Sequence, residues 1–473
     1  MSETFVESDP ALLSATEMLE LFRSGALSPV EATRATLDAI ERHDGDLNAF
    51  CLVDQEGALA AARDSEARWR AGEPRGRLDG VPTTVKDVVI AKGWPTRRGS
   101  RTTSEAPATE DAPSVAALRR HGAVLIGKTT TPEFGWKGVT DNSLTGTTRN
   151  PWNKEKTPGG SSGGASAAAA AGMGALHIGT DGGGSIRIPC AFTGIPGIKP
   201  TFGRVPAYPL SPFGTVAHIG PMTRTVADSA LMLTVMAEPD ERDPYGLPWS
   251  GEDYTQGLRQ GVKGLRIAFS PDLGMKVEVE PEVADLVSAA ARRFEDLGAS
   301  VEPIELSLPD PTHAFRIAWY AGGGRIWNAL SDGQQSLIDP GLQEVAREGA
   351  SYSLKEYFEA QSQREAYTVA VARLYRNYDL LLTPTLPLVA FDAGLEKPVD
   401  ADLERWCDWT PFTWPFNLTG QPAASVPCGL TSAGLPAGLQ IIGPRYADAL
   451  VLRAAQAYEE VAPFALPPGA GSR

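Results

Sequence analysis

The sequence has 473 residues, including 49 Gly and 38 Pro, and a chain of this length buries a core without disulfides or metals. Its formal net charge of −15 predicts repulsion from nucleic acid and from anionic membrane surfaces, so we expect neither as a partner. The acidic start lacks an apolar signal segment, no apolar run reaches about 18 residues, and the four cysteines form no CxxC pair. We therefore expect a cytoplasmic protein with reduced thiols.

The predicted elements alternate between helices and strands, which indicates an α/β fold. Residues 11–42 have a helical pattern that contains Ser28-Pro29-Val30-Glu31, a capping box with Pro at the first helical position. Up to Ser185, the later predicted elements are a helix over 54–71, a strand over Val81–Ile90, a helix over Val115–Arg120, a strand over Ala123–Gly127, a helix over 164–172, a strand over 175–179 and a helix from Ser185. Further along the chain they are a helix over 225–236, a strand over Leu265–Phe269, a helix over 281–297, a mostly helical segment over 310–378 and a strand over Asp379–Leu382. Two strands and a helix are predicted over 417–459.

Two glycine loops carry serines, Gly159–Gly164 and Gly182–Ser185. Consecutive glycines let backbone N–H groups turn toward one point, because no Cβ blocks the required backbone angles. Such N–H groups beside a serine at a helix start form an oxyanion hole, which stabilises the charge on a carbonyl oxygen under attack. The alternative is that both loops are only tight turns.

Other functions of these loops fit the sequence less well. Neither loop has the lysine of a phosphate-binding P-loop, and the spacing of a dinucleotide fingerprint is absent. Residues 159–163 match the GxSxG elbow of α/β-hydrolases, but that motif requires a strand before it. The preceding run, NPWNKEKTPGG, is polar and interrupted by Pro, so no such strand is predicted.

A serine nucleophile needs a base, and Lys86 is the candidate. It lies inside the apolar run VPTTVKDVVI, where burial lowers a lysine pKa and lets the amine accept a proton. The alternative for Lys86 is a strand-edge lysine that points to solvent. The histidines stand in no recognisable triad context; they are His43, His121, His177, His218 and His313.

These motifs together resemble the amidase signature family. The resemblance covers roughly residues 15–460 and includes GGSSGG…GTDGGGSIRIP…GIKPTFGRVP, VKD at 85–87, AVLIGKTTTPEF, TRNPWN, NLTGQPAASVPCG and GLPAGLQIIG. It implies a single large α/β domain, 1–473, with a mixed central sheet covered by helices on both faces. Its expected parts are an N-terminal helical part (1–70), a catalytic core (75–230), a variable substrate-facing part (231–400) and a C-terminal return to the sheet (401–473).

The resemblance also implies an amidase that works through a Ser–cis-Ser–Lys triad and an acyl-enzyme, without metal or organic cofactor. Ser185 in GGGSIR would be the nucleophile, Ser161 the bridging serine after a cis peptide, and Lys86 the base. Ser161 lies 24 residues and Lys86 99 residues before Ser185, as the family pattern requires. The implied oxyanion hole consists of the N–H groups of Gly182, Gly183, Gly184 and Ser185. The implied supporting residues are Ser162, Thr180, Asp181 and Arg187, the last two as an ion pair.

The substrate is predicted only as a class, a small-molecule amide. Five aromatic residues are predicted to line its pocket, which favours an aryl or alkyl amide and leaves esters and carbamates open: Phe134, Trp136, Phe315, Trp319 and Trp409. We expect a monomer or homodimer.

Two alternatives to this function remain. One is the glutamine-hydrolysing subunit of tRNA-dependent amidotransferases, which typically has an acidic residue where this chain has Trp409-Thr410, and DQIGP where it has AHIGP at 217–221. The other is a non-catalytic binding protein on the same scaffold, which would be expected to lose a residue of the triad.

Overall fold

Strands and helices alternate along most of the chain, as predicted. The computed structural model describes residues 9–275, 277–399 and 402–470. The strands are β1 (Phe50–Val53), β2 (Pro82–Lys86), β3 (Val124–Thr129), β4 (Asp141–Asn142), β5 (Gly146–Thr147), β6 (Leu176–Asp181), β7 (Gly197–Lys199), β8 (His218–Thr223), β9 (Arg266–Phe269), β10 (Ser300–Pro303), β11 (Leu380–Pro384), β12 (Ala423–Leu430) and β13 (Pro436–Ile442).

The helices are α1 (Ala15–Ser24), α2 (Pro29–Leu47), α3 (Gln55–Ala71), α4 (Pro113–Arg120), α5 (Gly163–Ala170), α6 (Arg187–Thr193), α7 (Val226–Met236), α8 (Pro281–Asp296), α9 (Thr312–Ala329), α10 (Asp332–Gln335), α11 (Pro340–Ser351), α12 (Leu354–Leu374), α13 (Pro415–Thr419) and α14 (Asp448–Val461). Within the described ranges, none of them is both long and apolar enough to cross a bilayer.

One mixed sheet organises the molecule. Among the described residues it has eleven strands in the order β1-β3-β2-β6-β8-β7-β12-β13-β11-β9-β10, while β4 and β5 pair separately. The neighbours β3, β2 and β6 run parallel, as do β11, β9 and β10, and the strands between these groups pair antiparallel. This confirms the predicted single α/β domain with a mixed sheet.

Helices cover both faces of the sheet. Successive residues of a strand point to opposite faces, and neighbours in one strand belong to different cores here. Ile267 packs with α7, α8 and α14, whereas Ala268 packs with α12 and α13. At the other end of the sheet, Leu125 belongs to the same core as Ile267, whereas Ile126 packs against α2, α3 and α5.

The structure differs from the predicted elements in two informative places. The helical run predicted over 11–42 is two helices, because Gly25 takes a left-handed conformation that ends α1; the predicted capping box then starts α2. The strand predicted over Val81–Ile90 ends at Lys86, where the N–H of Val89 donates to the Lys86 carbonyl and turns the chain. The sequence predicts no strand at β1, β4, β5, β7, β8 or β10.

The sheet topology brings two strand ends together. β2 ends at Lys86 and its parallel neighbour β6 ends at Asp181, so both carboxyl ends lie at the same edge of the sheet. Crevices at such an edge are where open α/β sheets bind ligands. The predicted catalytic residues therefore converge because of this pairing, although they lie far apart in the chain.

Candidate active site

Lys86 ends β2 with its side chain fully buried. Its Nζ donates to the hydroxyls of Ser161 (2.7 Å), Ser162 (2.8 Å) and Thr180 (2.8 Å). No carboxylate in the described residues forms an ion pair with it. Burial lowers the pKa of Lys86 well below its ordinary value, and the charge of Asp181 opposes this shift only in part. The surroundings of Lys86 therefore favour the neutral amine over the ammonium form.

The hydroxyls around Lys86 differ in what they can donate. Ser162 donates its hydrogen to the Thr180 carbonyl (3.1 Å), so toward Lys86 it acts as an acceptor. A neutral amine carries one lone pair. Only Ser161 and Thr180 have a hydroxyl hydrogen left to offer to it.

The two serine loops lie side by side. The N–H of Ser162 donates to the carbonyl of Ser185 (3.2 Å), and the Gly160–Ser161 peptide is cis. Ser161 and Ser185 line the same cavity. Gly135 lies against Ser161, since a Cβ on this glycine would come within 3.2 Å of Ser161 Oγ. The structure thus brings the two predicted serines to one cavity, with the predicted base Lys86 buried behind them and bonded to Ser161.

In the loop between β6 and α6, one of the four predicted oxyanion donors, the N–H of Gly184, is already bonded. The N–H of Gly184 donates to Asp181 Oδ1 (2.8 Å), so it is not free to bind an oxyanion. The N–H groups of Gly182, Gly183 and Ser185 donate to no acceptor in the described part of the chain. Three of the four predicted donors remain available.

Asp181 and Arg187 pair through two parallel hydrogen bonds of 2.9 Å, and both are fully buried. Burial opposes ionisation of Asp181, but the charge and hydrogen bonds of Arg187 prevail and hold its pKa below the usual range. The remaining donors of Arg187 reach the Thr413 carbonyl (2.8 Å), Gln440 Oε1 (2.7 Å) and Asn417 Oδ1 (2.7 Å). The predicted pair is therefore part of a buried network that fixes the glycine loop.

The cavity wall contains only two of the five predicted aromatic residues. Phe134 and Trp319 line it, together with Phe213, whose ring stacks on Trp319 at 3.9 Å. Trp136, Phe315 and Trp409 belong instead to the buried core behind this wall, which corrects their predicted role.

Each of the three core residues has a partner that holds it in place, through its ring or its backbone. Phe315 stacks between Trp319 and Trp414, and Trp409 stacks on Phe192. The Trp136 carbonyl accepts from Trp319 Nε1 (3.0 Å). These rings therefore support the wall without touching its open side.

Several residues of the site escaped the sequence analysis. Asn417 and Gln440 lie in the quoted runs NLTGQPAASVPCG and GLPAGLQIIG, but nothing local to them indicated that they accept from Arg187. The only available signal was that a buried arginine needs several acceptors. Arg98 and His218 also line the cavity. No group of three His, Cys, Asp or Glu side chains in the described ranges is placed to hold a metal ion.

Comparison with known proteins gives a consistent result. Residues 31–452 match the family model described as Amidase. The chain is 39% identical to an acylamidase of Rhodococcus erythropolis, with 96% of each chain covered. It is 38% identical to a glutamyl-tRNA(Gln) amidotransferase subunit of Myxococcus xanthus, with 94% of this chain and 96% of the relative covered. A solved bacterial aryl acylamidase of the amidase signature family superposes with a TM-score of 0.90 at 35% identity, covering 96% of this chain and 97% of the other.

Proposed function

Because the chain belongs to the amidase signature family and is an enzyme that hydrolyses amide C–N bonds, we propose that Ser185 is its nucleophile, Ser161 its proton relay and Lys86 its base. The observation that carries this proposal is the position of Lys86 Nζ, which is buried, 2.7 Å from Ser161 Oγ, and has no carboxylate partner within the described ranges. A lysine in this state can accept a proton near neutral pH.

The reaction proceeds in two halves. Lys86 takes a proton from Ser161 while Ser161 takes one from Ser185, and Ser185 Oγ attacks the amide carbonyl carbon. The N–H groups of Gly182, Gly183 and Ser185 stabilise the resulting oxyanion. The relay then returns the proton to the amide nitrogen, the C–N bond breaks and an acyl-enzyme remains. Water, activated by the same relay, hydrolyses the ester and frees Ser185.

The cavity favours an aryl or alkyl amide as substrate. Its wall offers the rings of Phe134, Phe213 and Trp319 near Ser185, and such surfaces bind apolar acyl or aryl groups. Trp409 and Thr410 are buried where an acidic residue would be needed to hold the ammonium of free glutamine. This favours the acylamidase function over the glutamine-hydrolysing alternative, although both kinds of relative match the chain.

The experiment is a panel of p-nitroanilides, aliphatic amides, a carbamate, an ester and glutamine, assayed with wild type, Ser185→Ala and Ser166→Ala. Ser166 is a buried serine of α5 that bonds to the Gly163 carbonyl, and it serves as the matched control. We expect Ser185→Ala to lose a factor of about 10⁴ or more in kcat and to lose labelling by a fluorophosphonate, while Ser166→Ala keeps both. Glutamine turnover above that of the anilides would favour the alternative substrate, and full activity of Ser185→Ala would refute the mechanism.

A further inference from the structure

Arg98 is a cation at the proposed active site that the triad mechanism does not use. It lines the cavity that holds Ser161 and Ser185. Within the described residues its backbone N–H and C=O are bonded, to Asp87 and Phe134, but its guanidinium makes no hydrogen bond and no ion pair. A guanidinium has five N–H donors, and partly buried donors normally find acceptors. Among the described residues, no acceptor in the cavity lining is bonded to the donors of Arg98.

Asp87, the carboxylate near Arg98, already forms an ion pair with a different cation. Asp87 forms an ion pair with Lys128 (2.9 Å) and also accepts from the N–H of Arg97 (3.2 Å). Burial lowers the pKa of Arg98, and the charge of Asp87 offsets this only in part. In the described part of the chain, the guanidinium of Arg98 thus has no ion-pair partner.

The backbone holds Arg98 in a fixed position relative to the triad. Arg98 and Phe134 both take left-handed conformations, each with φ of +53°, which non-glycine residues rarely adopt. The N–H of Phe134 donates to the Arg98 carbonyl (2.8 Å). Gly135, next in the chain, lies against Ser161. Arg98 is therefore tied through two residues to the bridging serine.

We propose that Arg98 binds a carboxylate of the substrate, so that the enzyme selects amides that carry a carboxylate beside an apolar or aryl group. A carboxylate matches the planar fork of a guanidinium with two parallel hydrogen bonds, and the aromatic wall accepts the rest of the molecule. The proposal rests on the proposed function, since it assumes that the amide is cleaved in this cavity.

The experiment compares matched anionic and neutral amides. On the acyl side, the pair is succinyl p-nitroanilide and 4-methylpentanoyl p-nitroanilide, which have the same shape. On the amine side, the pair is 4-acetamidobenzoate and 4-isopropylacetanilide. The readout is the ratio of kcat/KM for the anionic and neutral members in wild type, Arg98→Met, Arg98→Lys and Arg97→Met. Arg97 is the matched control, because its guanidinium already pairs with Glu105 (2.7 Å).

We expect wild type to prefer the anionic member of at least one pair. Arg98→Met is expected to reduce this ratio about 10- to 100-fold, Arg98→Lys to restore part of it, and Arg97→Met to leave it unchanged. A wild-type preference for the neutral member of both pairs would overturn the proposal, as would an equal ratio in wild type and Arg98→Met.

A binding measurement separates this proposal from the catalytic one. Calorimetry with 4-acetamidobenzoate and with succinyl p-nitroanilide is carried out on Ser185→Ala and on Ser185→Ala/Arg98→Met. Weaker binding of either ligand to the double variant supports the role of Arg98 even if Ser185 is not the nucleophile. Equal binding of both ligands to the two variants refutes that role even if Ser185 is the nucleophile.

Discussion

The two lysines at the ends of β2 and β3 show how burial can serve opposite purposes. Lys128 is the register partner of Val85, the residue before Lys86, so the two lysines face opposite sides of the sheet. Lys128 pairs with Asp87 and donates to Thr96 Oγ1 (2.7 Å). Lys86, among the described residues, donates only to hydroxyls. Burial lowers the pKa of both, but the charge of Asp87 opposes the shift at Lys128. In the proposed mechanism, the paired Lys128 stabilises the fold and Lys86 acts as the base.

Exchanging each lysine for methionine is expected to produce the largest contrast. Lys86→Met removes the base and should lower kcat/KM about 10³- to 10⁴-fold while the protein stays folded. Lys128→Met leaves Asp87 buried and unpaired, and it should cost about 3–5 kcal/mol in the free energy of unfolding with kcat within about tenfold of wild type. Anilide kinetics and urea denaturation measure the two effects. The comparison fails if Lys128→Met abolishes activity in a protein as stable as wild type.

A carboxylate placed next to Lys86 should stabilise its ammonium form, as Asp87 does for Lys128. The wild-type rate is expected to fall as the pH drops through the pKa of Lys86, because the protonated amine has no lone pair. In Thr180→Asp the new charge raises that pKa, so the acid limb of the pH–rate profile moves to higher pH. The rate at pH 7 falls by roughly tenfold for each pH unit by which the limb lies above pH 7. Thr180→Asn is the uncharged control and should keep the limb in place. A smaller rate with an unmoved limb in Thr180→Asp would contradict this view.

The smallest expected effects come from the threonine beside each lysine. Thr180→Val removes one hydrogen-bond partner of Lys86 and should lower kcat about tenfold or less, with little change in stability. Thr96→Val removes one partner of Lys128 and should cost about 1 kcal/mol in the free energy of unfolding, with kcat unchanged. Both are measured by the same two assays, and a rate effect in Thr96→Val alone would reverse the assignment of the two lysines.

The sequence was informative where the residues of a functional motif are adjacent in the chain. An apolar, β-branched run around Lys86 predicted a buried strand, and the glycine loops predicted backbone donors beside a serine. The direction of each donor was not readable, because it depends on the local backbone angles. At Gly184, φ is +131° and the N–H turns back to Asp181.

Residues that depend on distant partners could not be assigned from the sequence. Aromatic side chains are common both in cores and in pocket walls, so the pattern that identified Trp319 also selected Trp136 and Trp409. Arg97 and Arg98 look alike in the chain. Only the fold shows that Arg97 pairs with Glu105 and that Arg98 lines the cavity.

The buried hydrogen-bond network around Arg187 has a consequence for synthesis of the protein on the ribosome. Arg187 and Gln440 are 253 residues apart, so a growing chain carries Lys86, Ser161 and Ser185 long before three of the acceptors of Arg187, on Thr413, Asn417 and Gln440, have been translated. At about 5–20 residues per second, a ribosome needs roughly 10–50 s to cover that interval. During most of this time only Asp181 is present to accept from Arg187, and the network that fixes the glycine loop is complete only after β13 has been made.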